Sequence, residues 1–196
     1  LERADRGGSL QPVELLRIAG VLRCARTAQE YGEAEGKTAI SHLFNCLTPN
    51  RYLEDSITNS ILGEEEIADS ASPELASIRR HMRATEAKVR EILQKLISSN
   101  QSKYLQEAII TIRSDRYVVP VKSEHKNAIP GLVHDVSSSG STFFIEPMGV
   151  VNANNELREL QSKEKKEIER ILAALSAECA AHREDIGEDY RLLVWL

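Results

Sequence analysis

The residue types of a hydrolytic site stand close together in one short stretch of the sequence. His134 and Asp135 supply a base and an acid, and serines follow them at once. These serines are Ser137, Ser138, Ser139 and Ser141. The members of a catalytic triad come from separate elements that meet in space, and the sequence lacks the GxSxG turn of a serine nucleophile. We therefore interpret the serines and Gly140 as a turn whose hydroxyls bond the backbone, and we predict no catalytic residue.

A metal site built from His125, His134 and Asp135 is the second chemistry that these residue types allow. Imidazole and carboxylate groups are ordinary zinc ligands, but they bind only when the fold brings several of them to one point. The spacing of the three residues indicates no such scaffold. We predict neither a metal ion nor a cofactor site in this chain.

Residues 32–38 read GEAEGKT and look like a phosphate-binding loop. Such a loop needs four residues between its glycines, so that the backbone amides wrap a phosphate, and here there are three. It also follows a buried strand, whereas an amphipathic helix is predicted before this segment. We interpret residues 32–38 as a loop between helices.

Four basic residues fall within fourteen positions of a segment that is predicted to be rich in β-structure. They are Arg113, Arg116, Lys122 and Lys126, with His125 beside the last of them. On turns and strand ends, such side chains neutralise phosphates without reading bases, so nucleic-acid binding is our hypothesis for them. The alternative, which composition alone favours, is that they solvate a surface and pair with the acidic residues nearby. Those residues are Asp115, Glu124 and Asp135.

The aromatic side chains of the same segment are assigned to its interior. Tyr117, Phe143 and Phe144 are expected to form a small core, because no platform of aromatic residues for stacking bases is evident.

Hydrophobic spacing predicts a mainly helical chain. Residues 9–31 form a first helix with Pro12 in its first turn, and Gly32 is expected to end it. Ser72 and Pro73 open the longest helix of the first half, where apolar side chains alternate steps of three and four. This heptad seam comprises Leu75, Ile78, Met82, Thr85, Val89, Ile92 and Leu96.

The partner expected for this seam is a final helix that opens at Pro147 and continues to about Asp185. At ~1.5 Å per residue this helix would be on the order of 55–60 Å long. Its middle, residues 161–167, is almost wholly charged or polar, so both sides of it are expected to be exposed. Its inward side chains are predicted to be Leu157, Leu160, Ile168, Ile171, Leu175 and Cys179.

Between the two long helices the sequence predicts a small antiparallel sheet. Ser114 and Asp115 form the turn of its first hairpin, and a serine-rich turn joins its second pair of strands. Pro120 is expected at an edge or a bulge, because it cannot donate a ladder hydrogen bond. The expected strands are residues 108–112, 117–122, 131–136 and 142–146.

Composition and charge limit the classes of protein to which this chain can belong. With 41% hydrophobic and 28% charged residues and a net charge of −5, the 196-residue chain is globular and is not basic over its whole surface. Cys24, Cys46 and Cys179 are odd in number and far apart, which predicts reduced, buried thiols in a cytoplasmic protein. The first residue is Leu1 and the last four are apolar, so we expect a piece of a longer protein.

Several short motifs, in one order, resemble the MutS-II family, the second bacterial branch of the MutS mismatch-repair superfamily. Residues 115–122 read DRYVVPVK, residues 131–135 read GLVHD, residues 144–147 read FIEP and residues 154–160 read NNELREL. Ser137, Ser139-Gly140 and Thr142 lie between the second and third motifs. Residues 67–75, IADSASPEL, with Ile78-Arg79, resemble the entry to a MutS lever helix. The resemblance covers most of the chain and is weaker before about Leu53.

The resemblance implies a mainly α fold with a small antiparallel β insert, in which long lever helices carry a β-rich clamp at their tip. It divides the chain into a helical core region (1–72), an ascending lever helix (73–107), the clamp (108–146) and a descending lever helix (147–196). Members of the family are linked to recombination through branched DNA and to collided ribosomes, where ribosomal RNA would be the ligand.

The same resemblance implies that the motor lies outside this chain. The ATPase domain of the family, with its ATP and Mg²⁺, and its C-terminal Smr endonuclease domain are downstream, and neither a Walker A loop nor an Smr-type motif is found here. We therefore predict a non-catalytic lever-and-clamp fragment that grips nucleic-acid backbone in a homodimeric parent. The alternative is a helical coiled-coil module for dimerisation or protein interaction.

Overall fold

The computed structural model describes residues 1–34 and 39–196. It divides into two compact units, Leu1–Ala76 with Lys165–Leu196, and Ser77–Glu164. The predicted fold class, mainly α with a small antiparallel sheet, is confirmed. The assignment of segments to core, levers and clamp stays a prediction.

The helices of the described residues and their bounds are as follows. They are α1 (Glu2–Asp5), α2 (Pro12–Ala34), α3 (Ser41–Asn45), α4 (Arg51–Ser60), α5 (Pro73–Ile97), α6 (Val151–Ala181) and α7 (Arg183–Trp195). The strands are β1 (Thr111–Arg113), β2 (Arg116–Lys122), β3 (Gly131–Val136) and β4 (Thr142–Pro147).

The first unit is built around the apolar face of α2. Leu15, Ala19, Leu22 and Ala25 are buried at helical spacing along that face. The first three form one core with apolar residues of α4, of the first turn of α5, and of the later part of α6. Burial of this face, rather than helix propensity, therefore stabilises α2.

Gly32 does not end α2, which continues to Ala34, so that part of the prediction was wrong. A Cβ atom at Gly32 would lie 2.4 Å from Cγ of Phe44. The glycine is thus explained by the close approach of Phe44, whose ring also packs edge-on against Tyr31 with centroids 6.2 Å apart. A glycine that serves packing looks the same in sequence as one that serves a helix end.

The start of α5 agrees with the sequence. The Ser72 side chain accepts a hydrogen bond from the Leu75 amide at 2.9 Å and so caps the helix before Pro73. The same hydroxyl donates to Oε1 of Glu167 at 2.6 Å. Glu167 is buried and also accepts from Arg170 at 2.7 Å. The predicted exposure of the polar middle of the last helix is therefore wrong at this position.

Glu167 gives a pH dependence whose sign can be derived. Hydrogen bonds from Arg170 and then Ser72 lower its pKa to about 2 from an ordinary 4.5. Because the unfolded chain takes up the proton first, this contribution to stability is complete above pH 4.5 and is lost as the pH falls towards 2. We expect Glu167→Gln to flatten the loss of stability in that window, measured by urea unfolding at several pH values. An unchanged pH profile would contradict this assignment.

The remaining residues of the heptad seam pack in the second unit. Ile78, Thr85 and Val89 are buried along α5, together with Leu93, which the heptad spacing did not single out. Val89 and Leu93 share a core with Leu157 of α6 and with strand residues. Arg79 of α5 pairs with Glu164 of α6, Nε to Oε1, at 2.6 Å. The heptad seam of α5 therefore packs against other elements of the same chain.

The bounds of the last helix differ from those predicted. Pro147 ends β4 and a single 3₁₀ turn, Met148–Val150, intervenes before α6 begins at Val151. At the other end, helical geometry is interrupted at His182, after which α7 begins. Similarly, α5 ends at Ile97, and residues 98–107 contain a 3₁₀ turn instead of further α-helix. The first strand, predicted at residues 108–112, is Thr111–Arg113.

The sheet is antiparallel throughout, in the order β1-β2-β4-β3. Both predicted hairpins are present. In the first, Ser114 and Asp115 have φ values of 50° and 60°, the sign that a two-residue type I′ turn requires at both positions. In the second, Gly140 takes φ of 71° within the serine-rich turn.

Pro120 lies inside β2, beyond the residues of β2 that pair with β1. Its carbonyl accepts a hydrogen bond from the Gln106 amide at 2.9 Å, on the side away from β4. The missing N–H of proline therefore costs the sheet no ladder bond to β4. The predicted edge or bulge position was therefore wrong: Pro120 lies in an inner strand with an unbroken register to β4, and the segment around Leu105 pairs with its other side.

Of the three thiols, Cys179 is buried, whereas Cys24 and Cys46 are exposed, so the prediction of three buried thiols was wrong. Burial raises the pKa of the Cys179 thiol to about 11. Within the described part of the chain, every helix is too short or too polar to cross a bilayer.

Candidate nucleic-acid interface

A buried carboxylate organises the end of the sheet where β4 leads towards α6. Glu146 is completely buried, and its Oε1 accepts hydrogen bonds from Nη1 of Arg116 at 2.8 Å and from Nδ2 of Asn154 at 2.7 Å. Its Oε2 lies 2.5 Å from Nε2 of His134. Since an ionised carboxylate only accepts, His134 carries the proton on Nε2. Strands β2, β3 and β4 are thereby joined to the first turn of α6.

The electrostatics of this buried network favour the charged carboxylate. Burial by itself raises the pKa of Glu146, but the hydrogen bonds from Asn154, Arg116 and His134 together hold that pKa below its usual range. Asn154 also exchanges two hydrogen bonds with the backbone of Tyr117, at 3.1 and 3.3 Å. Arg116 reaches on to Oδ1 of Asn155 at 2.7 Å.

The hydrogen-bond network around Glu146 contains residues from four separate sequence motifs. Each motif contributes a member: Arg116, His134, Glu146, and the pair Asn154 and Asn155. A β-bulge between Val133 and Asp135 interrupts the pairing of β3 with β4 at His134. Bulges re-aim side chains, and here His134 reaches Glu146. The predicted phosphate contact Arg116 is thus a structural residue with a side chain only 14% exposed.

The structure does not bring together the candidate catalytic or metal-binding residues. His134 faces Glu146, Asp135 pairs with Arg113, and the ring of His125 packs against Tyr104. Within the described residues, no group of three histidine, cysteine or acidic side chains is placed to hold a metal ion.

The interpretation of the serines as a turn is confirmed. Oγ of Ser137 accepts a hydrogen bond from the Thr142 amide at 3.1 Å, and Ser139 bonds Ser141 through their hydroxyls at 2.7 Å. These hydroxyls therefore stabilise the turn between β3 and β4.

Arg113 is held against the sheet rather than projecting from it. Its guanidinium carbon lies 4.1 Å from the centroid of the Phe144 ring, and its Nε lies 3.3 Å from Oδ2 of Asp135. Nη1 donates to the Ile112 carbonyl at 2.8 Å. The predicted pairing of basic residues with their acidic neighbours is found here.

The remaining two predicted residues form a basic patch with a third lysine. Nζ of Lys122 donates to the carbonyl of Lys103 at 3.2 Å, and Nζ of Lys126 lies 5.6 Å from the Phe143 ring. His125 joins them through Tyr104, at 5.1 Å between ring centroids. We name Lys103, Lys122 and Lys126 the lysine patch. Across residues 1–34 and 39–196, none of the three forms an ion pair with a carboxylate, and the nearby carboxylate of Glu124 lies 3.8 Å from Nε2 of His125.

Sequence reasoning missed Lys103. It precedes Lys122 by nineteen positions and lies in the 3₁₀ turn Asn100–Tyr104, which was predicted as helix. The signal that finds it is tertiary, since the short bridge between Leu105 and Val121 lays this segment along β2.

The aromatic residues divide between the two faces of the sheet. Tyr117 and Phe143 pack in or against the core, as predicted. Phe144 is next to Phe143 in β4, so it faces the other way, opposite Pro120 in the register. The prediction of Phe144 as a core residue was wrong.

Residues 35–38 of the segment that looks like a phosphate-binding loop lie outside the described residues. What precedes them is α2, a helix, where a phosphate-binding loop would follow a buried strand. The described part of this segment therefore does not fit an ATP site.

Comparison with known proteins finds close relatives over almost the whole chain. It is 51% identical over 185 residues to the Endonuclease MutS2 of Ruminiclostridium cellulolyticum, which covers 92% of this chain and 23% of that protein. The Endonuclease MutS2 of Clostridium botulinum strain Alaska E43 is 46% identical over 197 residues, 98% of this chain and 25% of that protein. That of Acetivibrio thermocellus is 49% identical over 184 residues, covering 91% and 23% respectively. No family model matches the chain. The chain spans about a quarter of the length of these curated relatives.

Proposed function

We propose that this chain, which belongs to the MutS-II family, is a lever-and-clamp segment that binds nucleic-acid backbone through its four-stranded sheet unit. The observation that supports the proposal is the lysine patch, three cations beside β2 that form no ion pair among the described residues. Lysine neutralises phosphate as a point charge, without a required geometry or base sequence. Such a contact suits branched DNA and ribosomal RNA alike.

The buried network supplies the rigidity that this role needs. In our proposal, α5 and α6 are levers, and the hydrogen bonds of Glu146 make the end of the sheet move together with the first turn of α6. Because these hydrogen bonds are buried, water does not compete for their donors and acceptors, and the connection keeps its geometry. A movement of α6 would then reposition the lysine patch.

The activities of the full-length protein are also part of our proposal. The relatives are named endonucleases, and this chain matches about a quarter of each. We place the ATPase that drives the levers, with ATP and Mg²⁺, and the endonuclease in the remaining three quarters. We further propose a cytoplasmic homodimer, in which the clamps of two copies hold one nucleic acid.

The alternative, a coiled-coil dimerisation module, is not favoured. It requires the seam of α5 to be free for a second chain. Leu75, Thr85 and Val89 are instead buried within this one.

A chimera tests the proposal in its natural context. The matching quarter of the Ruminiclostridium cellulolyticum protein is replaced by this chain, and Lys103, Lys122 and Lys126 are changed together to alanine. We expect affinity for a four-way DNA junction, or for stalled ribosomes, to fall on the order of ten- to a hundred-fold at physiological salt, since three phosphate contacts are lost.

The matched control removes three exposed lysines from α6, Lys163, Lys165 and Lys166, and so makes the same change in net charge. It should bind as the parent chimera does. Equal losses in both variants would show that only net charge matters, and no loss in the patch variant would overturn the proposed contact.

A further inference from the structure

The middle of α5 is strongly basic. Residues 79–90 contain five lysine and arginine side chains and a single acidic one, Glu86. The unit to which they belong, Ser77–Glu164, has thirteen lysine and arginine residues against ten acidic residues, whereas the other unit has twelve against twenty. The positive charge of this acidic chain is therefore concentrated in the second unit, and a large part of it lies on α5.

Part of the basic segment is engaged within the chain. Arg79 pairs with Glu164 of α6, and Nε2 of His81 lies 2.9 Å from Oε1 of Glu156, also of α6. Arg83 has a partner within the chain as well. These side chains hold α5 in place, so we do not count them as available to a ligand.

Three other cations lie on the solvent side of α5. Arg80, Lys88 and Arg90 are exposed, and within residues 1–34 and 39–196 none of them forms an ion pair. Because an α-helix turns about 100° per residue, Lys88 and Arg90 each lie within about 80° of Arg80 around the axis. The fully buried Val89 lies on the side opposite Arg80. We name Arg80, Lys88 and Arg90 the basic face of α5.

The basic face of α5 has the dimensions and the charge of a surface for a polyanion. From Arg80 to Arg90 it extends about 15 Å, a length along which double-stranded DNA carries roughly nine phosphates. Ala84 and Ala87, both exposed on the same side, leave room for a bulky ligand to approach. Glu91, at the end of this side, is paired with Lys95 at 2.7 Å and does not neutralise the face.

We propose that the basic face of α5 is a second surface for nucleic-acid backbone, separate from the lysine patch. This inference rests on the proposed function and adds a lever helix to the contact. The Arg90 guanidinium carbon lies 5.7 Å from the Tyr117 ring centroid, and Lys122 of the lysine patch follows Tyr117 by five residues of β2. At ~3.3 Å per residue that is about 17 Å, too far for one phosphate to contact both. Nucleic acid bound to α5 therefore holds the lever itself.

Two variants of the chimera test this surface. One changes Arg80, Lys88 and Arg90 together to glutamine, which removes the charges and keeps a good helix former. The other changes only Arg80 and Lys88, whose side chains form no hydrogen bond or ion pair within the described residues, so the fold does not depend on them. Affinity and its salt dependence are measured on a four-way DNA junction and on duplex RNA.

We expect the triple variant to lose on the order of ten- to a hundred-fold in affinity, with a salt slope reduced by roughly two to three, and the double variant to lose about two from the slope. Combined with the lysine-patch variant, the reductions in slope should add, because the two surfaces are well separated. The control variant of Lys163, Lys165 and Lys166 should keep the slope of the parent chimera. The ligand with the larger loss is the one that α5 holds.

The outcomes separate this inference from the proposed function. If both α5 variants bind as the parent does while the lysine-patch variant loses affinity, the second surface is wrong and the proposed function stands. If the α5 variants lose affinity and the lysine-patch variant does not, the second surface stands and the patch contact is wrong. Equal losses in the α5 variants and in the lysine control would show that only net charge matters, which overturns the inference. A parent chimera that binds neither ligand overturns both proposals.

Discussion

Replacing Glu146 with alanine is expected to lower the free energy of unfolding of the second unit by roughly 3–5 kcal/mol, the cost of removing one member of a buried ion pair. The substitution leaves Arg116, 14% exposed, without its carboxylate, and it removes the acceptor of Asn154 and His134. Urea unfolding and hydrogen exchange of the β2 and β4 amides measure the effect. This would be the largest loss from any single polar side chain of the unit.

Two further variants show whether the lost pairing is the cause. Glu146→Gln keeps an acceptor for Arg116 and should cost less, about 1–3 kcal/mol. The double variant Arg116→Met/Glu146→Leu should recover part of the loss, because it leaves no unpaired charge. Glu159→Ala, at an exposed position of α6, is the control for loss of an acidic residue. A Glu146→Ala chain as stable as that control would show that the network does not hold the sheet to α6.

Gly131→Ala is expected to be almost as damaging, with a loss of about 3 kcal/mol, the upper part of the range for overpacked interiors. A Cβ atom at this position would lie 2.2 Å from the carbonyl oxygen of Glu146 and 2.7 Å from Cγ2 of Ile145. A backbone oxygen cannot rotate aside as a side chain does, so β3 must move away from β4. The bulge at His134 would then lose its alignment with Glu146.

The chain offers a control with the same chemical change and the opposite expected sign. Gly20 lies inside α2 with nothing within 4 Å of the Cβ position. Alanine there should stabilise the chain by up to about 1 kcal/mol, because glycine has the lower helix propensity. If Gly131→Ala were as harmless as Gly20→Ala, strand β3 would not be held as closely to β4 as the structure describes.

Local patterns predicted the elements of this fold well. The Ser72 cap, the heptad seam and both hairpins follow from spacing and turn chemistry, and each was found where the sequence indicated. Helix ends were less predictable. Gly32 serves the packing of Phe44, and Pro147 continues a strand before α6 begins, and neither fact is local.

The candidate site could be predicted only in part, because the role of each residue depends on the groups that the fold places beside it. Arg116 and Lys122 look alike in sequence, but the first meets a buried carboxylate and the second a backbone carbonyl. Lys103 enters the patch only through the fold. The family motifs indicated which residues matter, and the structure indicates that several of them matter for stability rather than contact.

The salt dependence of binding tests the central claim most directly. The slope of log affinity against log salt concentration is measured for the chimera on a four-way DNA junction, with and without the lysine patch. Each phosphate contact contributes about 0.9 to this slope, so removal of Lys103, Lys122 and Lys126 should reduce it by roughly two to three, while the Lys163, Lys165 and Lys166 control keeps it. An unchanged slope in the patch variant would contradict the claim that this face of the sheet unit holds the nucleic-acid backbone.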